Sequence, residues 1–282
     1  MRTKLLKTLI YPISFILVIL LVIFLRVDRN VEFIGTILGV STFLFGIFLA
    51  FSLSDRHNRI DQIRENDSGE RSQMIFLFDT SKIFGKVFQK RLQNAIDKYI
   101  MATLDYKIWD YEKTEKEYKK VVEVALSAKL RDKKDASFFS YFIEATNNLG
   151  MARKHTIGLI SDRLSVFEWT TFFLFSVVIV GSLVLLNLGT IVSIIIIAII
   201  SFSIILLLSF LYDLDNLSWK EEIRIFEPYA KTFESIGLLR YYPEALIKQR
   251  RVNLHKGKKC RIGVFPHPYP NLKGKKIKLI KF

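Results

Sequence analysis

Cysteine occurs once in this chain, as Cys260, which excludes an intrachain disulfide and fits a reducing compartment. Proline is nearly as scarce: between Pro12 and Pro266 only Pro228 and Pro243 occur, so nothing from residue 55 to residue 165 forces a helix to stop. Charge is missing altogether from Trp169 to Tyr212. Catalytic signatures are missing as well. There is no phosphate loop, no nucleophile elbow and no His-Glu-x-x-His, so neither enzymatic activity nor a cofactor is expected. His255, Cys260 and His267 are irregularly spaced and lack a fourth ligand, which argues against a zinc centre. No internal repeat or long low-complexity tract occurs.

What is present is apolar length. An α-helix needs roughly 20 residues to cross the hydrocarbon core of a bilayer, and the uncharged run is about twice that. Asn187-Leu188-Gly189-Thr190 is its one cluster of turn formers, so the run reads as a hairpin of two spans, 169–187 and 191–211. The same test at the other end of the chain finds spans at Thr8–Leu25 and Phe33–Leu53, separated by Arg26-Val27-Asp28-Arg29-Asn30-Val31-Glu32. Thr8–Leu25 is long for the apolar part of a secretory signal, and Phe24-Leu25-Arg26 is no small-residue cleavage site, so an uncleaved anchor is expected. The fold class implied is an all-α membrane protein with four transmembrane helices. Two hairpins, 1–54 and 166–212, flank a helical cytoplasmic insert, 55–165, and a basic tail, 213–282, follows.

Charge distribution agrees with that layout. The net charge of +15 suggests nucleic acid as a partner, but the positive-inside rule accounts for it more simply, and no nucleic acid is expected. Arg2, Lys4 and Lys7 precede the first span, the stretch from Asp55 to Arg163 has an excess of four basic residues, and the stretch after Tyr212 has an excess of nine. Arg26 and Arg29 are balanced by Asp28 and Glu32, and the second turn is uncharged. All positive regions thus fall on one side of an even-span topology, with both termini cytoplasmic and the chain multi-pass in the cell membrane.

Helical periodicity in the insert appears at Phe88, Leu92, Ile96, Tyr99 and Thr103, and again at Phe138, Phe142, Ala145, Leu149 and Ala152. Ser54 to Glu65 should extend the second span as a charged stalk, and the last insert helix should run unbroken into the third span. Beyond the fourth span, Phe226-Glu227-Pro228-Tyr229 and Arg240-Tyr241-Tyr242-Pro243 suit aromatic anchors at the membrane interface. Lys273 to Phe282 alternates lysine with apolar residues in the manner of a short strand. Seven basic residues between Lys256 and Lys276 suit either anionic lipid or a solvated tail.

Candidate functional residues lie along the second span. Gly35, Gly39, Thr42, Gly46 and Ala50 share one helical face, and Phe33, Phe48 and Phe51 fall on the opposite side. Small residues permit close approach of another backbone, so the face is either a packing seam or the lining of a narrow conduit around an oligomer axis. Arg56, Arg59 and Arg64 would then form a basic cytoplasmic mouth that concentrates anions such as chloride. No charge lies deep in any span, which disfavours a proton relay or ion-coupled pump and suits a passive pathway. Asp213-Leu214-Asp215 matches a weak divalent-cation pattern, but pairing with insert arginines, or helix capping by Asp215 or Asn216, is the plainer expectation, and no metal is assigned.

Three stretches resemble the bestrophin-like family of four-span membrane proteins from bacteria and plants. The first runs from Gly46 to Ser54 into Arg56, Arg59 and Glu65-Asn66-Asp67. The second is Ala145 to Trp169, with Arg153 and Arg163, and the third is Asp213-Leu214-Asp215-Asn216. The similarity covers residues 1 to about 225, with Leu217 where the family has proline. It implies a homo-oligomer of helical subunits with an anion pathway lined by the second span. The alternative is a membrane-anchored interaction protein whose insert and tail bind a partner.

Overall fold

The computed structural model describes residues 31–129, 133–218, 226–249, 252 and 259–281. The expected span Thr8–Leu25 lies outside them, as do Trp219 and the basic residues Lys256 and Lys258. The chain is mostly helical and divides into two compact units. One holds the residues up to Arg59 together with Arg163–Trp219; the other holds Ile60–Asp162 and Lys220–Phe282. Helix α1, Val31–Thr80, contributes to both, so the charged stalk expected after the second span is helical.

The first unit contains the first part of α1, helix α5 (Val166–Leu185) and helix α6 (Ile191–Asp215). Among the described residues three helices are long and apolar enough to cross a membrane: those that begin at Val31, end at Leu185 and run over Ile191–Asp215. Helix α5 does not continue from the insert helix before it, as the lack of proline suggested. Ser165 and Glu168 form a capping box: the Ser165 side chain accepts from the Glu168 backbone N–H, and the Glu168 carboxylate accepts from the Ser165 N–H at 2.7 Å. That reciprocal pair satisfies donors which a helix start leaves open, and it sets the boundary without proline.

The turn between α5 and α6 falls where its residue types place it. Gly189 takes φ 72°, and the Thr190 hydroxyl caps α6 by accepting from Ser193 N–H. Phe45 and Leu49 pack with Phe172, Ile179, Ile204 and Leu211. Other large apolar side chains on the same helices, Phe51, Phe173 and Ile191 among them, are exposed. Surfaces of this kind belong against lipid, and with three helices of this length and polarity they mark a membrane protein.

The second unit is built around helix α2, Lys86–Asp105, whose predicted stripe of Phe88, Leu92, Ile96, Tyr99 and Thr103 is buried throughout. Around it lie the end of α1, a 3-10 segment over Ile108–Thr114, helix α3 (Glu115–Leu126) and helix α4 (Lys133–Ser161). In the stripe on α4, Phe142, Ala145 and Leu149 are buried, Ala152 is half-buried and Phe138 is exposed.

The tail departs from the all-α expectation. Helix α7 (Glu227–Ser235), strand β1 (Tyr241–Pro243), helix α8 (Glu244–Lys248), strand β2 (Lys259–Val264) and strand β3 (Lys276–Lys281) fold with the insert. The sheet order is β1-β2-β3, with β1 parallel to β2 (Tyr241↔Arg261) and β2 antiparallel to β3 (Lys259↔Lys281). Phe226, Tyr229, Phe233, Tyr241, Tyr242 and Ile262 enter the same core as Leu92 and Phe142. The tail aromatics are therefore core residues rather than interface anchors. Burying each removes enough apolar surface to contribute about 1.5–3 kcal/mol.

Polar contacts fix the sheet onto α2. The Arg261 guanidinium grips Asp97 through two bonds of 2.7 Å, and the Tyr241 hydroxyl donates to Asp105 at 2.5 Å. Burial pushes the Asp105 carboxyl up, and Lys275 at 2.5 Å opposes the shift. Gly263 is required where it stands, because a Cβ there would lie 1.9 Å from the Tyr241 hydroxyl.

Candidate functional site

The Asp213-Leu214-Asp215-Asn216 element closes the C-terminal end of α6, where backbone carbonyls run out of helical partners and the helix dipole is negative. A carboxylate at that end needs cations, and α1 supplies them. Arg56 and Arg59, one turn apart, are both buried at 5% and 3% exposure. The Arg56 guanidinium reaches Asp215 Oδ1 at 3.5 Å and is also held by Asp55. Arg59 donates to the Asp215 backbone carbonyl at 2.8 Å and lies 3.9 Å from its carboxylate. The Leu164 backbone N–H donates to Asp215 Oδ1 at 2.8 Å. One buried carboxylate thus joins α1, the approach to α5 and the end of α6.

The neighbouring residues complete the closure. Arg163 donates to Asn216 Oδ1 at 3.2 Å, and the Asn216 amide turns back to the Tyr212 carbonyl at 3.0 Å. Leu217 follows with φ 55°, the left-handed conformation that ends a helix, and its side chain is buried. Proline holds φ near −65°, so it would not fit the backbone adopted at this position.

The predicted residues separate into two groups. Asp215, Asn216, Arg56 and Arg59 are brought together. This is the pairing with arginines expected for the Asp-x-Asp pattern, and it commits the Asp215 carboxylate to protein donors. Asp213, in the last turn of α6, is half-buried. Arg56 and Arg59 do not line a solvent-facing mouth, because both are buried against Asp215. Of the three arginines expected there, Arg64 alone is substantially exposed, and it pairs with Asp61 at 2.9 Å.

The small-residue face stands apart from this node. Within its unit α1 packs through Leu38, Phe45 and Leu49 rather than through the glycines. Gly35, Gly39, Thr42, Gly46 and Ala50 are all exposed, and a Cβ placed at Gly35, Gly39 or Gly46 meets nothing within 4 Å. Among the described residues the face is therefore not a seam within the subunit.

Sequence reasoning missed a second polar cluster in the other unit. Glu70 on α1, Tyr99 on α2, Tyr111 in the 3-10 segment and Arg153 on α4 meet in the interior, all with less than a tenth of their surface exposed. A lone glutamate in a charged helix carries no sequence signal of burial. The partial signal was Tyr99, which sits in the apolar stripe of α2 and must find a partner for its hydroxyl.

Comparison with known proteins agrees with the motif at the end of α6. No curated protein and no solved structure matches the chain significantly. The family model for the bestrophin-like domain matches residues 9–217, from before the first described helix to the left-handed Leu217. That span includes the Gly35 to Ala50 face and the Arg56–Arg59–Asp215 node, and on it the chain belongs to the bestrophin-like family of membrane proteins.

Proposed function

We propose that the chain is one subunit of an oligomeric, passive anion channel in the cell membrane, with the Gly35 to Ala50 face of α1 along the pathway. The observation that carries this reading is the openness of that face. Among the described residues, α1 packs through Phe45 and Leu49 and leaves a column of glycine and small side chains unused. Such a column suits either close contact between subunits or a narrow path around their axis. After Glu32 no charged residue occurs in α1 until Asp55, and none occurs from Trp169 to Tyr212, which suits downhill permeation better than proton-coupled transport.

Selectivity for anions such as chloride rests on the positive excess assigned to the cytoplasmic side, in a four-span arrangement with both termini cytoplasmic. The buried node around Asp215 acts as a clamp on α1, so that the register of the pathway face follows from the packing of Arg56 and Arg59. Arg261 and Lys275 are held by Asp97 and Asp105, whereas the exposed Lys259, Lys273 and Lys276 suit anionic lipid.

The competing reading is a membrane-anchored interaction protein, and it draws support from the tail, which joins the insert in one folded core. Subunit number and arrangement separate the two. Electron microscopy of purified full-length protein should reveal a closed ring with α1 nearest the axis. A monomer, or a ring with α1 at the lipid perimeter, would overturn the channel reading.

A further inference from the structure

The Glu70 cluster is a closed ring of three oxygen contacts. The Tyr99 hydroxyl lies 2.9 Å from Glu70 Oε2, the Tyr111 hydroxyl bonds Glu70 Oε1, and the two hydroxyls lie 2.9 Å from each other. Proton bookkeeping decides what such a ring holds. With Glu70 ionised, two hydroxyl protons serve three contacts. If both go to the carboxylate, the Tyr99 and Tyr111 oxygens face each other lone pair to lone pair. With Glu70 neutral there are three protons for three contacts: the acid donates to Tyr111, Tyr111 to Tyr99, and Tyr99 back to the other carboxyl oxygen. The ring is complete only when the acid carries its proton.

We propose that Glu70 is a reversible proton-binding switch: the ring closes when Glu70 is protonated, and its ionisation releases Tyr111, and with it the 3-10 segment Ile108–Thr114, from α2.

The charges around the ring are consistent with this. Arg153 donates to Tyr99 at 3.1 Å and to Thr114 Oγ1 at 2.8 Å, and it stacks on the rings of Tyr99, Tyr111 and Tyr118. Its ionic partner is Glu115 of α3, at 3.2 Å, so its charge is already matched when Glu70 ionises. Asp67, one turn earlier on α1, further disfavours the anion; its own contacts go to Arg71 and to the Tyr229 hydroxyl of α7. The facing groups are thus Asp67 on α1, Tyr99 on α2, Tyr111 in the 3-10 segment, Glu115 and Tyr118 on α3 and Arg153 on α4. Burial pushes the Glu70 carboxyl up to about 7, against the pull of the two hydroxyls and Arg153. Release has a natural site in the 3-10 segment, where Asp110 already leaves helical geometry at φ −105°, ψ 16°.

Hydrogen exchange of full-length protein in lipid nanodiscs tests the switch. E70Q keeps a neutral side chain at every pH and serves as the reference that cancels intrinsic exchange chemistry. The ratio of wild-type to E70Q exchange over Ile108–Thr114 should rise about tenfold per pH unit up to about pH 7 and level off above it. A ratio constant from about pH 5 to about pH 8 overturns the proposal. Should E70Q fail to fold, difference infrared spectra of wild-type protein decide. A protonated-carboxyl band that fades across neutral pH and moves in Y111F is expected, and the lack of such a band overturns the switch.

Discussion

Asp215→Ala is the most informative perturbation of the membrane unit, because one side chain serves three segments. The carboxylate is nearly inaccessible and accepts the Leu164 N–H at 2.8 Å. Its removal leaves that buried donor without an acceptor, which costs about 1–3 kcal/mol. It also takes from Arg56 and Arg59 the carboxylate they share. Breaking a buried ion pair on one side costs about 3–5 kcal/mol, but Arg56 keeps Asp55 and Arg59 keeps the Asp215 backbone carbonyl, so the lower end applies. Together with the stranded Leu164 donor, a loss of about 4 kcal/mol is therefore expected. Asp215→Asn retains an oxygen for Leu164 and should fall about midway. Equilibrium unfolding of the full-length protein in lipid, wild type against both variants, measures the difference. Adding Arg56→Met to Asp215→Ala should cost less than the sum of the two single changes, since the contact between Arg56 and Asp215 can be lost only once. Stability of Asp215→Ala within about 0.5 kcal/mol of wild type would refute the clamp.

Other outcomes follow from the same contacts. Gly263→Ala should destabilise by about 1–3 kcal/mol and detach Tyr241 from Asp105, which thermal unfolding and tyrosine fluorescence will read, because the new methyl group occupies the place of the Tyr241 hydroxyl. Leu217→Pro should abolish accumulation of folded protein in the membrane fraction, since a ring fixed near φ −65° cannot adopt 55°. Arg153→Met should cost about 3 kcal/mol in thermal stability, because it removes the charged hydrogen bonds to buried Tyr99 and Thr114 and the stacking on three rings. Glu70 has a folded-state value near 7 against 4.5 for the ordinary carboxyl, so its stabilising contribution is complete below about pH 4.5 and lost as pH rises to about 7. The loss amounts to about 3 kcal/mol, and pH-dependent unfolding of E70Q should lack that component.

The spans and their turn were readable because the bilayer imposes length and polarity on every residue between Trp169 and Tyr212. The stripes of α2 and α4 were readable because helical period places Leu92, Ile96, Phe142 and Leu149 on one side. The start of α5 was not, since scarcity of proline says nothing of a capping box; Ser165 and Glu168, three residues apart, carried that signal. The tail misled because buried and interfacial aromatics have the same composition. Tyr241 and Tyr242 declare themselves only through strand pairing with Arg261 and Ile262, which are distant in sequence. Arg56 and Arg59 looked like a solvent-facing mouth for a similar reason. An arginine pattern on one helix does not reveal that a carboxylate at the end of another, more than 150 positions away, will cover it.

The central claim concerns permeation along α1, and chloride efflux from liposomes loaded with purified full-length protein tests it most directly. Wild-type protein should release chloride down its gradient, and Gly46→Trp, which fills the open space beside that glycine, should stop the release while the oligomer stays intact. Liposomes that hold their chloride with an intact wild-type oligomer in the bilayer, or that leak equally through Gly46→Trp, would contradict it.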